Sequence, residues 1–278
     1  TALISNSKDD IGQMSCNPDI GGLGKSHLVR EVDALGGIMA QATDMSGIQY
    51  RTLNTRKGFA VQALRVQCDR DEYKKAIQQI LDLTTIEIIE DEVVDLAVTN
   101  SKAEGVVLGS GQTIKAKKII LTTGTFLNGV MYTGDTNTQG GRVGDKSAIP
   151  LSKRLYELDL PMGRLKTGTP PRVLGSSMNF SIMEEQKGDS KPTFFTFQET
   201  RDDSDLFHVE HPGQTRAGWP PGENQVSCWI TQTSQETEDV VKKNLHLSPM
   251  YSGEIECAGP RYCPSIEDKF VRFAEKDS

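Results

Sequence analysis

The sequence predicts an α/β fold: an open sheet with a β-meander inserted in one crossover, together with a second inserted domain of α+β type. Three observations lead to this class. Two segments early in the chain have helical periodicity, short strand-like segments follow them, and the composition becomes rich in proline and glycine near residue 150. A chain of 278 residues can form one large domain or two smaller ones. We therefore assign one domain to residues 1–149 and a second to residues 150–278.

The first predicted helix covers residues 24–36, GKSHLVREVDALG. Its apolar residues recur at helical spacing, and the two glycines that follow mark its end. The apolar residues are Leu28, Val29, Val32 and Leu35. We expect them to form one face of the helix.

A second helix is predicted in residues 69–83, DRDEYKKAIQQILDL. Acidic residues occupy its first turn, where they interact favourably with the positive end of the helix dipole. Apolar residues again recur at helical spacing. They are Tyr73, Ala76, Ile77, Ile80 and Leu81.

Strand-like segments surround this helix. Most are short and bounded by turn residues, and the Gly109-Ser110-Gly111 turn predicts a hairpin. The segments are TALIS, IEIIE, VVDLAVT, GVVLGSGQTI and KKIILTTG. The last differs because it is apolar throughout, which is typical of a strand buried on both faces of a mostly parallel sheet.

The small residues Thr123 and Gly124 end that strand. A bulky cofactor can approach the backbone at such a position, although a plain tight turn requires glycine equally often.

The second domain contains a polar segment, residues 199–224, that lacks periodicity and is predicted to be a long surface loop. A strand in VSCWITQT and a helix in SQETEDVVKKNL are predicted to follow it.

Composition excludes several classes of protein. The net charge of −7 predicts no general affinity for nucleic acid, so RNA binding would need a local basic patch. No run approaches the roughly 20 apolar residues of a membrane span, and no signal peptide is present. We therefore expect a soluble, cytoplasmic protein that does not bind membranes.

The cysteines and histidines predict neither a disulfide framework nor a metal site. The five cysteines are odd in number and form no CxxC pair, and the four histidines lack the spacing of metal ligands. The cysteines are Cys16, Cys68, Cys228, Cys257 and Cys263. Reduced thiols are expected.

The stretch MSCNPDIGGLGKS at residues 14–26 combines a cysteine, a proline turn and three glycines. Small residues before Lys25 and Ser26 are typical of a phosphate-binding loop, but the four-residue gap of a P-loop is missing. Cys16 lies in an irregular turn before Pro18, where nearby donors can tune a thiol pKa.

Several motifs resemble one family. IGQMSCNPDIGGLGKSHLVREVDALGG, the later GGRVGD and RLKTGTPPR, and above all GPRYCPSIEDK resemble the GidA/MnmG family, flavin-dependent enzymes that modify wobble uridines of tRNA. The resemblance runs from about residue 1 to residue 278 and implies an FAD/NAD(P)-binding Rossmann-like sheet. The family's N-terminal GxGxxG turn and C-terminal helical region have no counterpart here. We therefore expect an internal segment that is inactive by itself.

The resemblance also implies catalytic residues. Chemistry at C5 of uracil requires that carbon to become nucleophilic, and a thiolate that adds at C6 achieves this. Cys16 and Cys263 match the family's functional cysteines, and both lie in proline-containing turns. Arg261, beside Cys263, favours a thiolate. Lys269 is the fourth catalytic candidate, with a solvated helix face as its alternative. We expect the other three cysteines to be small buried residues.

FAD, NADH and 5,10-methylenetetrahydrofolate are the cofactors that the resemblance implies. Since the family's first glycine-rich turn holds the flavin pyrophosphate, GGLGKS is expected to pack near the flavin ring. A tight turn before a helix is the alternative for any single glycine. The expected cofactor-binding residues are Asn17, Gly21, Gly22, Gly24, Lys25, Val93, Thr123, Gly124, Ser147, Ala148, Gly259, Pro260, Arg261 and Tyr262.

Two groups of basic residues are candidates for binding tRNA phosphates despite the acidic charge of the chain, with a scattered solvated surface as the alternative. From the second group we expect Arg164, Lys166 and Arg172 to contact tRNA. The first group contains Arg51, Arg56, Lys57, Arg65 and Arg70, and the second contains Lys153, Arg154, Arg164, Lys166 and Arg172. Phe59 and Gln62 replace a proline and an arginine of many family members, which weakens a role for those positions.

The expected function is the addition of an aminomethyl or carboxymethylaminomethyl group to C5 of uridine 34. The expected partners are tRNA, an MnmE-type GTPase and a second copy in a homodimer. One alternative is a folate-dependent tRNA uridine C5 methyltransferase of the TrmFO type. Another is a non-catalytic RNA-binding or assembly module.

Overall fold

The computed structural model describes residues 1–197, 222–255 and 265–272. They belong to two compact units. Unit 1 comprises Thr1, Asp9–Glu87 and Pro170–Thr231, and unit 2 comprises Ala2–Lys8, Ile88–Thr169 and Gln232–Ser278. The predicted boundary between residues 149 and 150 lies inside unit 2, and the assignment of the domains stays a prediction.

The described residues contain both helices and strands, which confirms a mixed α/β fold. The helices are α1 (Ser26–Ala34), α2 (Met39–Ser46), α3 (Arg70–Asp82), α4 (Ile149–Glu157), α5 (Gln235–Lys243) and α6 (Ile266–Arg272). The strands are β1 (Ala2–Ser5), β2 (Asp19–Gly21), β3 (Gly47–Leu53), β4 (Ala63–Cys68), β5 (Glu87–Glu90), β6 (Val93–Thr99), β7 (Lys102–Leu108), β8 (Thr113–Lys115), β9 (Val130–Thr133), β10 (Thr136–Gln139), β11 (Glu184–Gln186) and β12 (Cys228–Ile230).

Unit 1 is built on a three-stranded antiparallel sheet in the order β2-β4-β3. One face of the sheet contributes Tyr50, Val66 and Cys68 to a core that helices α1 to α3 complete. The Tyr50 hydroxyl donates to the Asp44 carbonyl at 2.8 Å, so the buried ring carries no unsatisfied polar group. The opposite face of the sheet is polar.

Helix α3 confirms its prediction. Tyr73, Ala76 and Ile77 are buried, and the Asp69 carboxylate accepts hydrogen bonds from the Asp71 and Glu72 backbone N–H groups. An acidic N-cap satisfies donors that have no partner within the helix. Periodicity and cap therefore agree on where this helix starts and which face it buries.

Helix α1 is present, but most of its apolar face is not buried. Leu28 and Leu35 are exposed, whereas Val29 and Asp33 are buried. The reason is that Asp33 binds a distant segment: it accepts hydrogen bonds from the Thr196 hydroxyl and the Phe197 N–H, at 3.0 and 2.8 Å. This polar anchor decides which side of the helix faces the protein.

The segment at residues 194–197 is fixed to unit 1 by a second acid as well. The Asp44 carboxylate, 3% exposed, accepts hydrogen bonds from the Phe195 and Thr196 N–H groups. The guanidinium of Arg30 donates to the Phe194 carbonyl at 3.0 Å. These bonds hold the chain immediately before the predicted surface loop, most of which lies outside the described residues.

Unit 2 contains the predicted β-meander. Strands β6, β7 and β8 are antiparallel neighbours, and the Gly109-Ser110-Gly111 turn joins β7 to β8. Helix α4 packs against this sheet through Leu151 and Leu155 in a second core. The Nε atom of Arg154 lies 2.9 Å from an Asp95 carboxylate oxygen and links α4 to β6.

Strands β1 and β5 form a separate parallel pair. The Glu87 N–H donates to the Thr1 carbonyl and the Asp91 N–H donates to the Ser5 carbonyl, so both chains advance in the same direction. Strands β9 with β10 and β11 with β12 form antiparallel pairs. The Rossmann-like arrangement stays a prediction, because these described pairs do not form one open parallel sheet.

The buried strand predicted in KKIILTTG is wrong for the structure described. Residues 117–124 form no strand, and Ile120 is 84% exposed. A strand needs a neighbour for its backbone hydrogen bonds, and this segment lacks a ladder partner. The strand in VSCWITQT and the helix in SQETEDVVKKNL are confirmed as β12 and α5.

No helix in the described parts of the chain combines the length and the apolar character that crossing a membrane requires.

Candidate functional site

Cys16 lies in a bend directly before β2, and its reduced thiol is half-buried. The backbone is held on both sides of it. The Arg70 guanidinium donates to the Met14 carbonyl, and the Cys68 N–H donates to the Pro18 carbonyl at 2.7 Å. The predicted catalytic thiol is therefore carried by a turn that β4 and α3 fix in position.

The glycine-rich loop continues from β2 into α1. Gly21, Gly22 and Gly24 have φ values of +84°, +95° and +70°, which side chains of L-residues rarely adopt. The Gly22 N–H donates to the Leu64 carbonyl at 2.8 Å and so fixes the loop to β4. Left-handed backbone at all three positions is the physical reason for this run of glycines.

The three glycines differ in their surroundings. A Cβ atom at Gly21 would lie 2.4 Å from the Leu64 carbonyl oxygen and 2.5 Å from the Phe195 ring, whereas nothing lies within 4 Å of a Cβ at Gly22 or Gly24. Gly21 is required for packing inside the protein. Gly22 is nevertheless buried, whereas Gly24 is exposed, so the loop backbone is open to approach at Gly24.

Asn17 and Lys25, the other cofactor candidates of unit 1, are both exposed. Lys25 precedes α1, and no side chain caps this helix end. Asn17, Lys25 and the glycine loop thus lie on one continuous segment with Cys16.

Four of the cofactor candidates of unit 2 lie in two segments that are both hydrogen-bonded to the backbone of Phe126. The Phe126 N–H donates to the Thr123 carbonyl at 3.0 Å and closes the turn that contains Gly124, whose φ is +55°. The Phe126 carbonyl accepts from the Ala148 N–H at 2.8 Å and from the Ser147 hydroxyl at 3.2 Å. Two segments that are distant in sequence are thereby brought together.

Val93 begins β6, pairs with Leu108 and packs on the second core. Its half-buried side chain is explained by packing alone, and a cofactor role for Val93 stays a prediction.

The predicted catalytic Lys269 is exposed on α6. The buried residue of this helix is instead Asp268, whose carboxylate accepts from the Tyr251 hydroxyl and the Ser265 N–H, both at 3.1 Å. Burial opposes the ionisation of Glu267, but its backbone N–H, the hydroxyls of Ser265 and Ser248 and the charge of Lys166 outweigh it and lower the Glu267 pKa.

The three predicted tRNA-binding residues occupy different settings. Arg164 is exposed and donates to the Asn128 carbonyl at 2.9 Å, and Lys166 is half-buried; both belong to unit 2. Arg172 is exposed and belongs to unit 1. Their role in tRNA binding stays a prediction.

Cys68 fits its expected role as a small buried residue, since its side chain is 1% exposed in the first core. Burial raises the pKa of Cys68 to about 12, which keeps the thiol protonated near neutral pH. Cys228 differs from the expectation: its half-buried thiol donates to the Gln49 side-chain oxygen at 3.1 Å and accepts from the Gln67 amide at 3.0 Å.

Some of the predicted residues lie outside the described part of the chain. They are Cys257, Gly259, Pro260, Arg261, Tyr262 and Cys263. Within the described residues, no group of three or more His, Cys, Asp or Glu side chains is placed to hold a metal ion.

Sequence reasoning missed the residues that position this site. Arg70 was assigned only to a basic group and Phe126 not at all, although both organise predicted site residues. Their roles depend on backbone carbonyls that carry no sequence signal.

These features define a mixed α/β protein with a cysteine turn that leads into an open glycine loop. The chain matches the family model for glucose inhibited division protein A (GIDA) over residues 1–278. It is 43% identical to Aquifex aeolicus GidA in one crystal form (TM-score 0.84) and 42% identical in another (TM-score 0.81). Each match covers 100% of this chain and only 44% or 42% of the GidA chain. The chain belongs to the glucose inhibited division protein A family.

Proposed function

We propose that this chain is part of an FAD-dependent enzyme that modifies a uridine of tRNA. Membership of the GidA family, a family of FAD-dependent tRNA-modifying enzymes, supports the class of reaction. The observation that carries the proposal is the Cys16 thiol, in a turn fixed by Arg70 and Cys68 and followed by an open glycine loop.

The residues present fit a flat cofactor. The backbone at Gly24 can be approached closely, because this residue is exposed and no atom lies within 4 Å of where its Cβ atom would be. In unit 2, Thr123 and Gly124 form a turn beside Ser147 and Ala148. The glycine loop of unit 1 would contact FAD, which supplies the redox chemistry of the one-carbon transfer when bound. A cofactor role for the turn of unit 2 is a separate prediction.

The role proposed for Cys16 follows from the chemistry of uracil. Its thiolate adds to C6, the ring electrons shift to the C4 carbonyl oxygen, and C5 becomes nucleophilic. After C5 has formed its new bond, a base takes the C5 proton, the C5–C6 double bond forms again, and the C6–S bond breaks to release the Cys16 thiolate. The bond between Arg70 and the Met14 carbonyl orients the turn that carries the thiol. Cys263 is the second thiol in this proposal, with Arg261 and Lys269 as supporting cations.

In its specific form, the proposal is addition of an aminomethyl or carboxymethylaminomethyl group at C5 of wobble uridine 34. NADH and 5,10-methylenetetrahydrofolate would supply electrons and the carbon unit, and a homodimer would act with an MnmE-type GTPase. Arg164, Lys166 and Arg172 would contact tRNA phosphates.

Nucleoside analysis of tRNA from a strain lacking the full-length gene tests this function. We expect loss of a C5 aminomethyl-type nucleoside at position 34, restored by the wild-type gene and not by Cys16→Ser. Loss of a C5 methyl group instead would establish the methyltransferase alternative. Full-length protein without flavin absorbance and without any effect on tRNA nucleosides would leave only the non-catalytic module.

A further inference from the structure

The polar face of the β2-β4-β3 sheet carries two arginines side by side. Arg65 lies directly opposite Arg51 on β3 and directly opposite Gly21 on β2. Residues opposite each other in an antiparallel sheet share a face, so both guanidinium groups project to the side away from the core that contains Val66 and Tyr50. Like charges in this relation repel, which disfavours the arrangement unless an anion lies between them.

Arg65 has no counter-charge in the described structure. Its Nε–H group is enclosed by protein and donates to no acceptor in the described structure, and none of the described side chains forms an ion pair with it. Arg154 provides the comparison. Its Nε is equally enclosed, yet it lies 2.9 Å from an Asp95 oxygen. Burying part of a guanidinium without such a partner costs folding free energy, and a bound anion would offset this cost.

The acid on the neighbouring strand β2 does not neutralise Arg65. Asp19 on β2 pairs with Gln67 on β4, two residues along the strand from Arg65. No ion pair joins Asp19 to Arg65 in the described structure. Arg51 uses one nitrogen to donate to the Lys187 carbonyl at 2.9 Å, a neutral acceptor. The row Gly21, Arg65, Arg51 therefore carries two positive charges, and the glycine loop starts at its end.

We propose that Arg51 and Arg65 form an anion-binding site for a phosphate group. Two guanidinium forks match the several oxygens of a phosphate better than a single charge would. The phosphate belongs either to the RNA backbone or to the dinucleotide cofactor. The choice of these two sources rests on the proposed function. The anion-binding site itself does not, because inorganic phosphate tests it independently.

The experiment compares Arg51→Gln, Arg65→Gln and the wild type in the full-length protein. Lys102→Gln is the control, since Lys102 is exposed, lies outside both basic groups and loses the same charge. The probes are inorganic phosphate in a thermal-shift assay, unmodified tRNA in filter binding at several salt concentrations, and FAD added to flavin-free protein.

Phosphate should raise the melting temperature of the wild type and of Lys102→Gln, and this shift should be lost in Arg51→Gln and Arg65→Gln. If RNA supplies the phosphate, tRNA affinity should fall about tenfold and the salt slope by about 1, with FAD unchanged. If the cofactor supplies it, FAD affinity should fall by a similar factor and tRNA affinity should not. Arg65→Lys keeps the positive charge but lacks the planar guanidinium, so it should bind phosphate with intermediate affinity. This variant takes the place of Arg65→Gln if Arg65→Gln does not fold.

Equal binding of all three probes by wild type, Arg51→Gln and Arg65→Gln would overturn the site. A loss in Lys102→Gln as large as in Arg65→Gln would also overturn it, because the effect would then be one of general charge. A wild type that binds neither tRNA nor FAD, yet still responds to phosphate through Arg65, would contradict the proposed function and leave the site standing.

Discussion

The guanidinium of Arg70, the first residue of α3, donates a hydrogen bond to the main-chain carbonyl of Met14, two residues before Cys16. A side chain from a helix thus fixes the backbone of the turn that carries the candidate nucleophile. The relationship makes Arg70 a positioning residue for this turn.

Replacing Arg70 by methionine should loosen this turn. We expect the free energy of unfolding to fall by about 1.5–3 kcal/mol, the usual contribution of a hydrogen bond to a charged group. The alkylation rate of Cys16 by iodoacetamide should also change, because its backbone would fluctuate more. Urea unfolding and mass spectrometry of the Cys16 peptide measure the two effects.

Arg56→Met is the control for this substitution, since Arg56 is exposed and should affect neither quantity. An unchanged alkylation rate in Arg70→Met would show that the turn is held by other contacts.

Serine at Cys16 or Cys263 of the full-length enzyme should abolish tRNA modification while leaving bound FAD and tRNA affinity nearly intact. Serine keeps the size of the side chain but is a far poorer nucleophile near neutral pH. Single-turnover assays with unmodified tRNA measure the chemical step, and flavin absorbance measures the cofactor.

Cys68→Ser, Cys228→Ser and Cys257→Ser are the controls and should retain activity. For the buried Cys68 we expect a loss of stability of about 1 kcal/mol. Full activity in either Cys16→Ser or Cys263→Ser would remove that thiol from the mechanism, and loss of flavin would assign it to cofactor packing instead.

The comparison of α3 with α1 shows what local sequence can and cannot predict. For α3, periodicity and the Asp69 cap agree, and both act within a few residues. For α1, the buried face is set by Asp33 and its bonds to Thr196 and Phe197. A contact so distant in sequence leaves no periodic signal in the helix that makes it.

The candidate site divides in the same way. Cys16 and the glycine loop were found because cysteine chemistry and positive φ restrict the residue types at those positions. The junction at Phe126 was not found, because it consists of backbone hydrogen bonds that most residue types would allow. The exposed Ile120 was missed since an apolar run predicts burial only where a neighbouring strand exists.

The two adjacent glycines offer a test of the loop. Gly21→Ala places a methyl group against the Leu64 carbonyl and the Phe195 ring at positive φ, so strain and overlap add. We expect a loss of about 3 kcal/mol or more. Gly22→Ala has a similar φ but open space beside it and should lose only about 1–2 kcal/mol. Urea unfolding of both variants gives the difference.

Equal stability of Gly21→Ala and Gly22→Ala would contradict the close contact at Gly21. Gly24 tests cofactor binding, because it is exposed and has open space where a Cβ would lie. Gly24→Ala should weaken FAD binding more than its loss of stability would explain, and unchanged FAD affinity in this variant would remove that side of the loop from the cofactor site.

Alkaline stability should depend on Cys68. Burial is the main reason that its pKa rises from 9.0 to about 12, and the charges of Asp44, Asp19 and Asp69 act in the same direction. The unfolded chain loses this proton near pH 9 while the folded chain retains it. Stability from the raised pKa is therefore fully present below pH 9 and is lost between about pH 9 and pH 12.

Urea unfolding of Cys68→Ala across this range measures the contribution. The variant should be less stable at neutral pH because of the cavity, yet its free energy of unfolding should decline less steeply above pH 9 than that of the wild type. Burial also raises the pKa of Tyr73 to about 12. Tyr73 remains in both proteins and accounts for the decline in unfolding free energy that Cys68→Ala still shows. Cys228→Ala keeps Cys68 and should show the full decline. Identical slopes in Cys68→Ala and the wild type would show that this thiol does not stay protonated in the folded protein.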